Sequence, residues 1–269
     1  MNWRKFSGLT LLTLVVMILV QGCSTVPVTG RRSLNLVSAE QEMQLGVSSF
    51  EQLKKETPVS RDPDLNAMVT RVGKRIARVA QNDMPNAQWE FVVFDSKEAN
   101  AFCLPGGKVG VYTGILPITK TEAGMATVIG HEIAHATAHH GRERMSQQIL
   151  LQGGQQLVGT AISASNYAQW QNMLLLGYGV GTKLAIELPF NRTQESEADH
   201  IGLVYMARAG YDPNEAVGFW QRFMEYNRQL GGSSTPAFLR THPVDEVRIR
   251  QLKEWMPEAS AEFNKSALR

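Results

Sequence analysis

The sequence predicts an α+β fold that is mainly helical, with a small β-meander beside one central helix. Residues 38–57 begin and end with residues typical of helix termini, and apolar residues recur at helical spacing in 62–81. Strand-forming residues fill 89–94 and 108–112. The chain has 269 residues, of which 43% are hydrophobic and 19% charged. This length and composition suit one domain with a substantial core, with room for a small appendage.

The charges of the chain are balanced. There are 27 basic and 25 acidic residues, which gives a formal net charge of +2. Because Arg4 and Lys5 are the only charged residues before Cys23, the chain after that cysteine is neutral, with 25 residues of each sign. A nucleic-acid-binding domain carries a basic patch or stripe, so we expect no nucleic-acid partner.

Residues 1–22 have the pattern of a lipoprotein signal peptide. Arg4 and Lys5 precede a run of 12 apolar or Thr residues, 9–20, which is too short to span a bilayer comfortably. The small residue before Cys23 resembles a bacterial lipobox, which predicts cleavage before Cys23 and acylation of its thiol. The alternative is an uncleaved anchor with a free cysteine. Both interpretations place the rest of the chain outside the cytoplasm.

The residue after Cys23 is Ser24, not Asp. By resemblance to Gram-negative lipoproteins, this favours a lipid anchor in the outer membrane, facing the periplasm, if the host is of that type. The polar segment 23–37 is interpreted as a lipid-anchored tether. With Cys23 acylated, Cys103 would be the last thiol, and the fold would have no internal disulfide.

The folded domain is expected to span 38–269 and to begin with two helices. Ser38 caps the first helix, and Pro58 ends it. Asp62 and Pro63 occupy the cap and first turn of the second helix. Its apolar positions are Leu65, Met68, Val69, Val72, Ile76 and Val79.

The predicted β structure lies between these helices and the next one. Trp89–Phe94 and Lys108–Tyr112 read as strands, with a turn at Leu104–Gly107 before the second. The next helix is predicted to start near Thr119 and to run to about Gly141, because Thr119 and Glu122 have the spacing of a capping box.

The remaining chain contains further helices. Residues 142–190, rich in glycine and glutamine among apolar residues, are interpreted as mobile helices or a lid. A helix is predicted from Asn191 to Ala209, ended by Gly210. A flexible connector follows at 231–235, and a last helix is predicted from Pro243 to Trp255.

His131, Glu132 and His135 form the motif H-E-x-x-H. On a helix, the two histidines lie on one face about 6 Å apart, so both imidazoles can bind one Zn²⁺ ion. Glu132 is turned away from the second histidine, and can accept a proton from water that the metal has made acidic. We therefore predict one zinc ion per chain and Glu132 as the general base.

A catalytic zinc site needs a third protein ligand. The class that places it in H-E-x-x-H-x-x-G-x-x-H is excluded, because those positions hold Ala138 and Gly141. His139 lies about 12 Å along the helix from His131. It is therefore a weaker candidate than a glutamate on a second helix.

Glu195 supplies that glutamate. Asp199 follows at i+4 on the same helical face, so Glu195 can bind the metal while Asp199 accepts the N–H of a ligand histidine. Glu197 should point elsewhere and be solvated. Glu187 is the competitor for the metal, but Pro189 breaks the helix around it.

H-E-x-x-H on one helix followed by E-x-x-A-D on a later one resembles the M48 family of zinc endopeptidases. The resemblance runs from about Ala39 to the last helix and implies a zincin-like metalloprotease domain. Lacking the transmembrane helices of some members, the sequence is most similar to the Oma1-like soluble branch, with its bacterial periplasmic lipoproteins. Further matching stretches are 100–107, 111–114, 191–195 and 241–243.

The resemblance also implies roles that spacing alone does not supply. His242 would stabilise the oxyanion or cap the zinc in a resting state, and Arg248 would support the site. Without the family, His242 would read as a loop histidine and Arg248 as a solvated helical charge.

The family also implies that substrate lies extended along an exposed sheet edge beside the metal. This edge is expected at Lys108–Tyr112, with Asn100 and Ala101 before it. Candidate substrate-binding residues are therefore Asn100, Ala101, Val109 and Val111. The alternative is that these residues form an ordinary core hairpin.

The predicted function is zinc-dependent hydrolysis of internal peptide bonds in extended or unfolded polypeptides. The family resemblance implies misfolded or unassembled envelope proteins as substrates and the envelope-protein assembly machinery as a partner. One rival is a zinc-binding chaperone or assembly factor for outer-membrane proteins, against which the intact Glu132 argues. The other rival is a metallohydrolase acting on cell-wall peptides.

Overall fold

The computed structural model describes residues 23–151, 167–178, 180, 191–230, 235–243 and 245–267. The predicted signal peptide, 1–22, lies outside these residues. So do 152–166, 179 and 181–190 of the predicted lid segment, with Glu187 and Pro189, and 231–234 of the predicted connector. The other parts of that segment are mainly helical.

The mainly helical α+β class is confirmed. The helices in the described ranges are α1 (Ala39–Glu56), α2 (Pro63–Ala80), α3 (Leu116–Thr119), α4 (Glu122–Thr137), α5 (His140–Leu151), α6 (Tyr167–Gly177), α7 (Arg192–Arg208), α8 (Asn214–Gln229), α9 (Ala237–Thr241) and α10 (Glu246–Ala267). The strands are β1 (Cys23–Thr25), β2 (Arg32–Leu34), β3 (Glu90–Phe94), β4 (Ala101–Leu104) and β5 (Lys108–Tyr112).

The small sheet is present, but its strand order is not that of a meander. The order is β3-β5-β4, with β5 parallel to β3 and antiparallel to β4. Gly106 and Gly107, both with positive φ, form the turn that pairs β4 with β5. The prediction that Lys108–Tyr112 is an exposed edge is therefore wrong, because β5 lies in the centre.

The N-terminal segment differs from the predicted free tether. β1 and β2 form an antiparallel hairpin. After it, the backbone N–H of Leu36 donates to Ser146 Oγ of α5 at 2.8 Å. Val26 and Val37 are buried. The segment 23–37 packs on the domain because these apolar side chains and the ion pairs of Arg31 hold it there.

The central helix α4 is shorter than predicted at both ends. It begins at Glu122, because the side chain of Thr121, not Thr119, accepts from Gly124 N–H. It ends at Thr137, and His139 adopts a left-handed conformation with φ 56° before α5 begins. All residues from Gly124 to Thr137 are buried, so α4 is the centre of the core. The last helix, α10, instead runs past the predicted end at Trp255 to Ala267.

Helices α4 and α7 approach each other through two glycines. A Cβ atom added to Gly202 would lie 2.8 Å from His131 N. One added to Gly130 would lie 3.0 Å from Gly202 O. The two backbones are therefore in direct contact next to His131. A side chain at either glycine would displace one of the helices.

We predict that Gly202→Ala destabilises the protein by about 1–3 kcal/mol, because the added methyl group must push α7 away from α4. The matched control is Gly218→Ala on α8. There the methyl group meets only the ends of two side chains, those of Arg222 and Glu215, and better helix propensity makes the variant up to about 1 kcal/mol more stable. Urea unfolding measures both, and equal stability of the two variants would contradict the close contact.

Candidate metal centre

Helix α4 carries the two histidines and the glutamate of the predicted motif. His131, Glu132 and His135 are each at most 2% exposed. The Nε2 atoms of His131 and His135 lie 3.1 Å apart, as expected for imidazoles one helical turn apart that face the same point. The helix therefore presents two nitrogen ligands to one position.

Helix α7 brings Glu195 to the same position. Asn191 caps the helix, since its side chain accepts from Gln194 N–H and the Gln194 side chain accepts from Asn191 N–H. This cap fixes Glu195 in the first turn. Its Oε1 lies 3.3 Å from His135 Nε2, and its Oε2 lies 3.7 Å from His131 Nε2.

His242, between α9 and α10, completes the group. Its Nδ1 lies 2.9 Å from Glu195 Oε1 and 3.3 Å from His131 Nε2. One ligand atom from each of the four buried residues lies within 4.8 Å of all the others. His242 thus lies close to the position that the other three residues face, where the family resemblance implied that it would act.

These separations fit a tetrahedrally bound metal ion. Four ligands at about 2.0–2.1 Å from zinc lie roughly 3.3 Å from one another. Five ligand-atom separations, measured to either oxygen of Glu195, range from 2.9 to 3.7 Å and bracket that value, and ligand atoms of all four residues lie within 4.8 Å of one another. Two or three imidazoles with one carboxylate are ligands typical of zinc. The four residues therefore fit a metal centre.

Asp199 and Arg248 lie where they were predicted. Asp199 Oδ1 is 3.0 Å from His131 Nδ1, on the side of the ring away from the other ligands. Arg248 donates to Asp199 Oδ1 at 2.6 Å and to Glu195 Oε2 at 2.7 Å. Its guanidinium also lies 3.4 Å from the centre of the Trp220 ring. Arg248 thus fixes two carboxylates at once.

The other ligand histidine has a different partner. His135 Nδ1 lies 2.9 Å from Nδ1 of the fully buried His140, whose Nε2 lies 3.2 Å from Glu197 Oε2. The prediction that Glu197 is solvated is wrong, because Arg31 and Thr29 of the N-terminal segment donate to its carboxylate. Sequence reasoning missed His140, since a residue at i+5 of a continuous helix would lie on another face. The helix break at His139 brings it back.

Burial sets the protonation of the ligands. It lowers the pKa values of His131 and His135 well below their ordinary value. Repulsion from neighbouring histidines lowers them further. Both rings are therefore neutral, as metal binding requires. Burial alone would raise the pKa of Glu195, but His242 and Arg248 lower it well below its ordinary value.

Glu132 has the opposite character. Burial, with the charge of Glu195, raises its pKa well above the ordinary value. Its Oε1 is buried without a hydrogen-bond partner, 3.5 Å from His242 Nε2. A carboxyl group held in this way is suited to exchange a proton at neutral pH.

The sheet edge beside α4 is β4, not β5. Tyr112 N–H donates to Asn100 O at 3.0 Å, so alternation along the antiparallel pair turns the backbone groups of Ala101 and Cys103 away from β5. Asn100 Oδ1 accepts from Ala101 N–H at 3.0 Å. Val109 and Val111 are paired on both sides and fully buried, so their predicted role in binding substrate is wrong.

Among the helices of the described ranges, none combines the length and the apolar content that a membrane span requires.

Comparison with known proteins gives a family match. The description "Peptidase family M48" matches residues 63–256, a range that contains all four residues of the metal centre, Glu132, Asp199 and Arg248.

Several characterised relatives align over most of the chain. The mitochondrial metalloendopeptidase OMA1 of Schizosaccharomyces pombe is 36% identical over 87% of this chain, and that of Saccharomyces cerevisiae is 31% identical over 89%. The β-barrel assembly-enhancing protease of Escherichia coli is 28% identical over 89%. The alignments span 66%, 71% and 50% of these relatives, respectively.

We predict that Arg248→Met lowers stability by about 3–5 kcal/mol when metal is removed with a chelator, because Glu195 and Asp199 lose their shared cation inside the core. Arg250→Met, two residues away on the same helix and largely exposed, should change stability by less than about 0.5 kcal/mol. Denaturant unfolding monitored by circular dichroism compares them. Equal midpoints would show that Arg248 does not hold the site together.

Proposed function

The chain belongs to peptidase family M48, and we propose that it is a zinc-dependent endopeptidase that hydrolyses internal peptide bonds of unfolded or unassembled proteins. The matched family and the metalloendopeptidase relatives confirm the resemblance predicted from the sequence and the metallopeptidase class of the site. One observation carries the proposal. The buried ligands His131, His135 and Glu195 lie beside Glu132, whose oxygen has no partner.

Each residue has a defined part in the proposed reaction. His131, His135 and Glu195 would hold the zinc ion, which when bound would supply a Lewis acid that makes water acidic and polarises a carbonyl group. Glu132 accepts the proton of the attacking water and returns it to the leaving amine. Asp199 and Arg248 orient His131 and Glu195. The contacts described above support these roles.

The family resemblance implied two alternative roles for His242. In the arrangement described, it lies among the candidate metal-binding residues, where it would be a fourth ligand and leave no open position for water or a carbonyl. We propose that this is a resting state, so that His242 limits activity. In the alternative role, its ring would donate a hydrogen bond to a developing oxyanion, and the reaction would need it.

We propose that substrate binds as an extended strand along β4. Ala101 and Cys103 direct backbone groups away from β5, although the Ala101 N–H already donates to Asn100 Oδ1. Both residues are at most 2% exposed, so the proposal requires the side chains over this edge to move when substrate binds. Hydrogen bonds to main chain give little sequence preference. This favours unfolded polypeptides. Because one relative is named a β-barrel assembly-enhancing protease, misfolded or unassembled envelope proteins are the proposed substrates, with the envelope-protein assembly machinery as a partner.

The proposed location is the outer membrane, facing the periplasm, through a lipid on Cys23. The support is the signal-like segment that precedes Cys23. Cys23 is also the first residue of β1, so a lipid at this position would hold the domain close to the membrane surface.

A zinc-binding chaperone or assembly factor with little proteolysis is the alternative. The observation that favours it is His242 in the fourth ligand position, since a closed site binds metal without catalysing hydrolysis. The two functions differ in whether Glu132 matters, because a binding role needs no proton acceptor.

We predict that Glu132→Gln lowers the cleavage of casein by the zinc-loaded protein by about 10²–10⁴-fold while zinc content is unchanged. The matched control is Glu122→Gln. Glu122 lies on the same helix but is exposed and paired with Arg71, so the variant should cleave casein at the wild-type rate. Mass spectrometry of the products measures cleavage. If all three proteins hold zinc and none cuts, the chaperone alternative is favoured.

We predict that His242→Ala weakens zinc binding but increases the rate at which the zinc-loaded protein cuts casein, because the fourth ligand position is open. Initial rates at saturating zinc test this. A zinc-loaded His242→Ala protein that has lost activity would contradict the resting-state role and would leave His242 as a group needed in the reaction itself.

A further inference from the structure

A line of hydrogen bonds connects the N-terminal hairpin with the metal centre. It begins at Arg31 and Thr29 in the segment 23–37, passes through Glu197 and His140, and ends at Nδ1 of the ligand His135. The mechanism proposed above uses none of Arg31, Glu197 and His140. Their arrangement therefore needs an explanation of its own.

The inner step, the hydrogen bond between His140 and His135, defines the orientation of His135. A histidine that binds metal through Nε2 needs a partner for the N–H at Nδ1, and that partner fixes both the tautomer and the ring angle. His140 Nδ1, at 2.9 Å, is the acceptor. His140 must then carry its own proton on Nε2, and that atom faces Glu197 Oε2 at 3.2 Å. The donors and acceptors match along the whole line.

The outer step, the hydrogen bonds from the hairpin to Glu197, fixes the carboxylate of Glu197. Arg31 Nε donates to Glu197 Oε2 at 2.8 Å, and Thr29 Oγ1 donates to Oε1 at 2.8 Å. Arg31 also donates to both carboxylate oxygens of Glu143 on α5. The side chains become more exposed outwards, from 0% for His140 through 7% for Glu197 to 27% for Arg31.

The hairpin turn places these donors. Val28 and Gly30 both adopt left-handed conformations, with φ 63° and 70°, and the turn closes through Val26 N–H to Arg31 O at 2.8 Å. A β-branched residue such as Val28 rarely takes this conformation. The turn is therefore held by its surroundings, and the contacts of Thr29 and Arg31 with Glu197, together with those of Arg31 with Glu143, help to hold it.

We propose that His140 is the positioning residue of His135, and that Arg31 of the N-terminal hairpin acts through Glu197 and His140 to set how tightly the metal is retained. The inference rests on the proposed metal site but not on proteolysis. Docking of the hairpin, which begins at Cys23, is thereby coupled to a metal ligand. An undocked hairpin leaves Glu197 without its cation and His140 without a fixed acceptor.

Zinc affinity of the full mature chain, measured by competition with a chromophoric chelator, tests the inner step. His140→Phe removes both ring nitrogens and should weaken zinc binding by about 10–100-fold. His140→Gln, whose amide can accept from His135 and donate to Glu197, should restore most of that loss. The control His139→Asn changes the neighbouring histidine, which faces Glu42, and should bind zinc like the wild type.

A second pair of variants tests the outer step. Arg31→Met keeps the side-chain stem and removes the guanidinium, and should weaken zinc binding by about 10-fold. Arg32→Met alters the exposed neighbour and should leave affinity unchanged. Because Arg31 and His140 belong to the same series of hydrogen bonds, Arg31→Met should weaken zinc binding little further in a chain that already carries His140→Phe. Since Arg31 is partly exposed, Arg31→Met is expected to fold even if His140→Phe does not.

The nitrogen-bound proton supplies an independent signature. Long-range ¹H–¹⁵N spectra of the zinc-loaded wild type should show the proton of His135 on Nδ1, and this signal should shift in Arg31→Met but not in Arg32→Met. Wild-type zinc affinity in His140→Phe, equal losses in His139→Asn, or additive effects of Arg31 and His140 would overturn the proposal. Failure to cut casein would overturn the proposed function and leave these affinity differences in place.

Discussion

The site depends on one steric constraint, the contact between the backbones of α4 and α7 at Gly130 and Gly202. At that distance, Glu195 on α7 reaches the two histidines of α4 with its short side chain, and Asp199 reaches the far nitrogen of His131. A methyl group at Gly202 would meet the backbone of α4 at 2.8 Å and push the helices apart, whereas a metal site accepts ligand distances only within about 0.2 Å of their ideal values. The packing of two helices therefore fixes the ligand geometry.

Helix α7 serves both sides of the metal centre because of its periodicity. Glu195 and Asp199 share the face towards α4, and Glu197 lies about 200° round the helix, towards α5 and the hairpin. Within five residues, this helix thus places one carboxylate among the candidate metal ligands, one against His131 and one against His140, which in turn contacts His135. Gathering these carboxylates in the core is unfavourable without cations. Arg248 and Arg31 supply positive charge, and a bound metal ion would add to it, which would link metal binding to the stability of the fold.

The sequence predicted the parts of the site that local spacing determines. H-E-x-x-H and Glu195 with Asp199 each lie within one turn of one helix, so periodicity alone placed them on common faces. The fourth ligand, His242, came only from family resemblance, because nothing local brings α9 to α4.

Other features could not be predicted from the sequence because they depend on tertiary contacts. His140 lies near His135 only because the chain reverses at His139. Glu197 is buried only because a hairpin 166 residues earlier packs over it. The central position of β5 follows from a parallel pairing with β3, which hairpin reasoning does not consider. In each case, the missing information was which distant segment covers a given surface.

The buried thiol of Cys103 has a chemical consequence. The chain has two cysteines, and Cys103 is free, so no disulfide within the chain exists to be reduced. Burial, with the nearby charge of Glu132, raises the pKa of Cys103 well above its ordinary value, which keeps it as the unreactive thiol rather than the thiolate. Thiol oxidants and disulfide reductants therefore have no ready target at Cys103, and this part of the core does not depend on the redox potential of its surroundings.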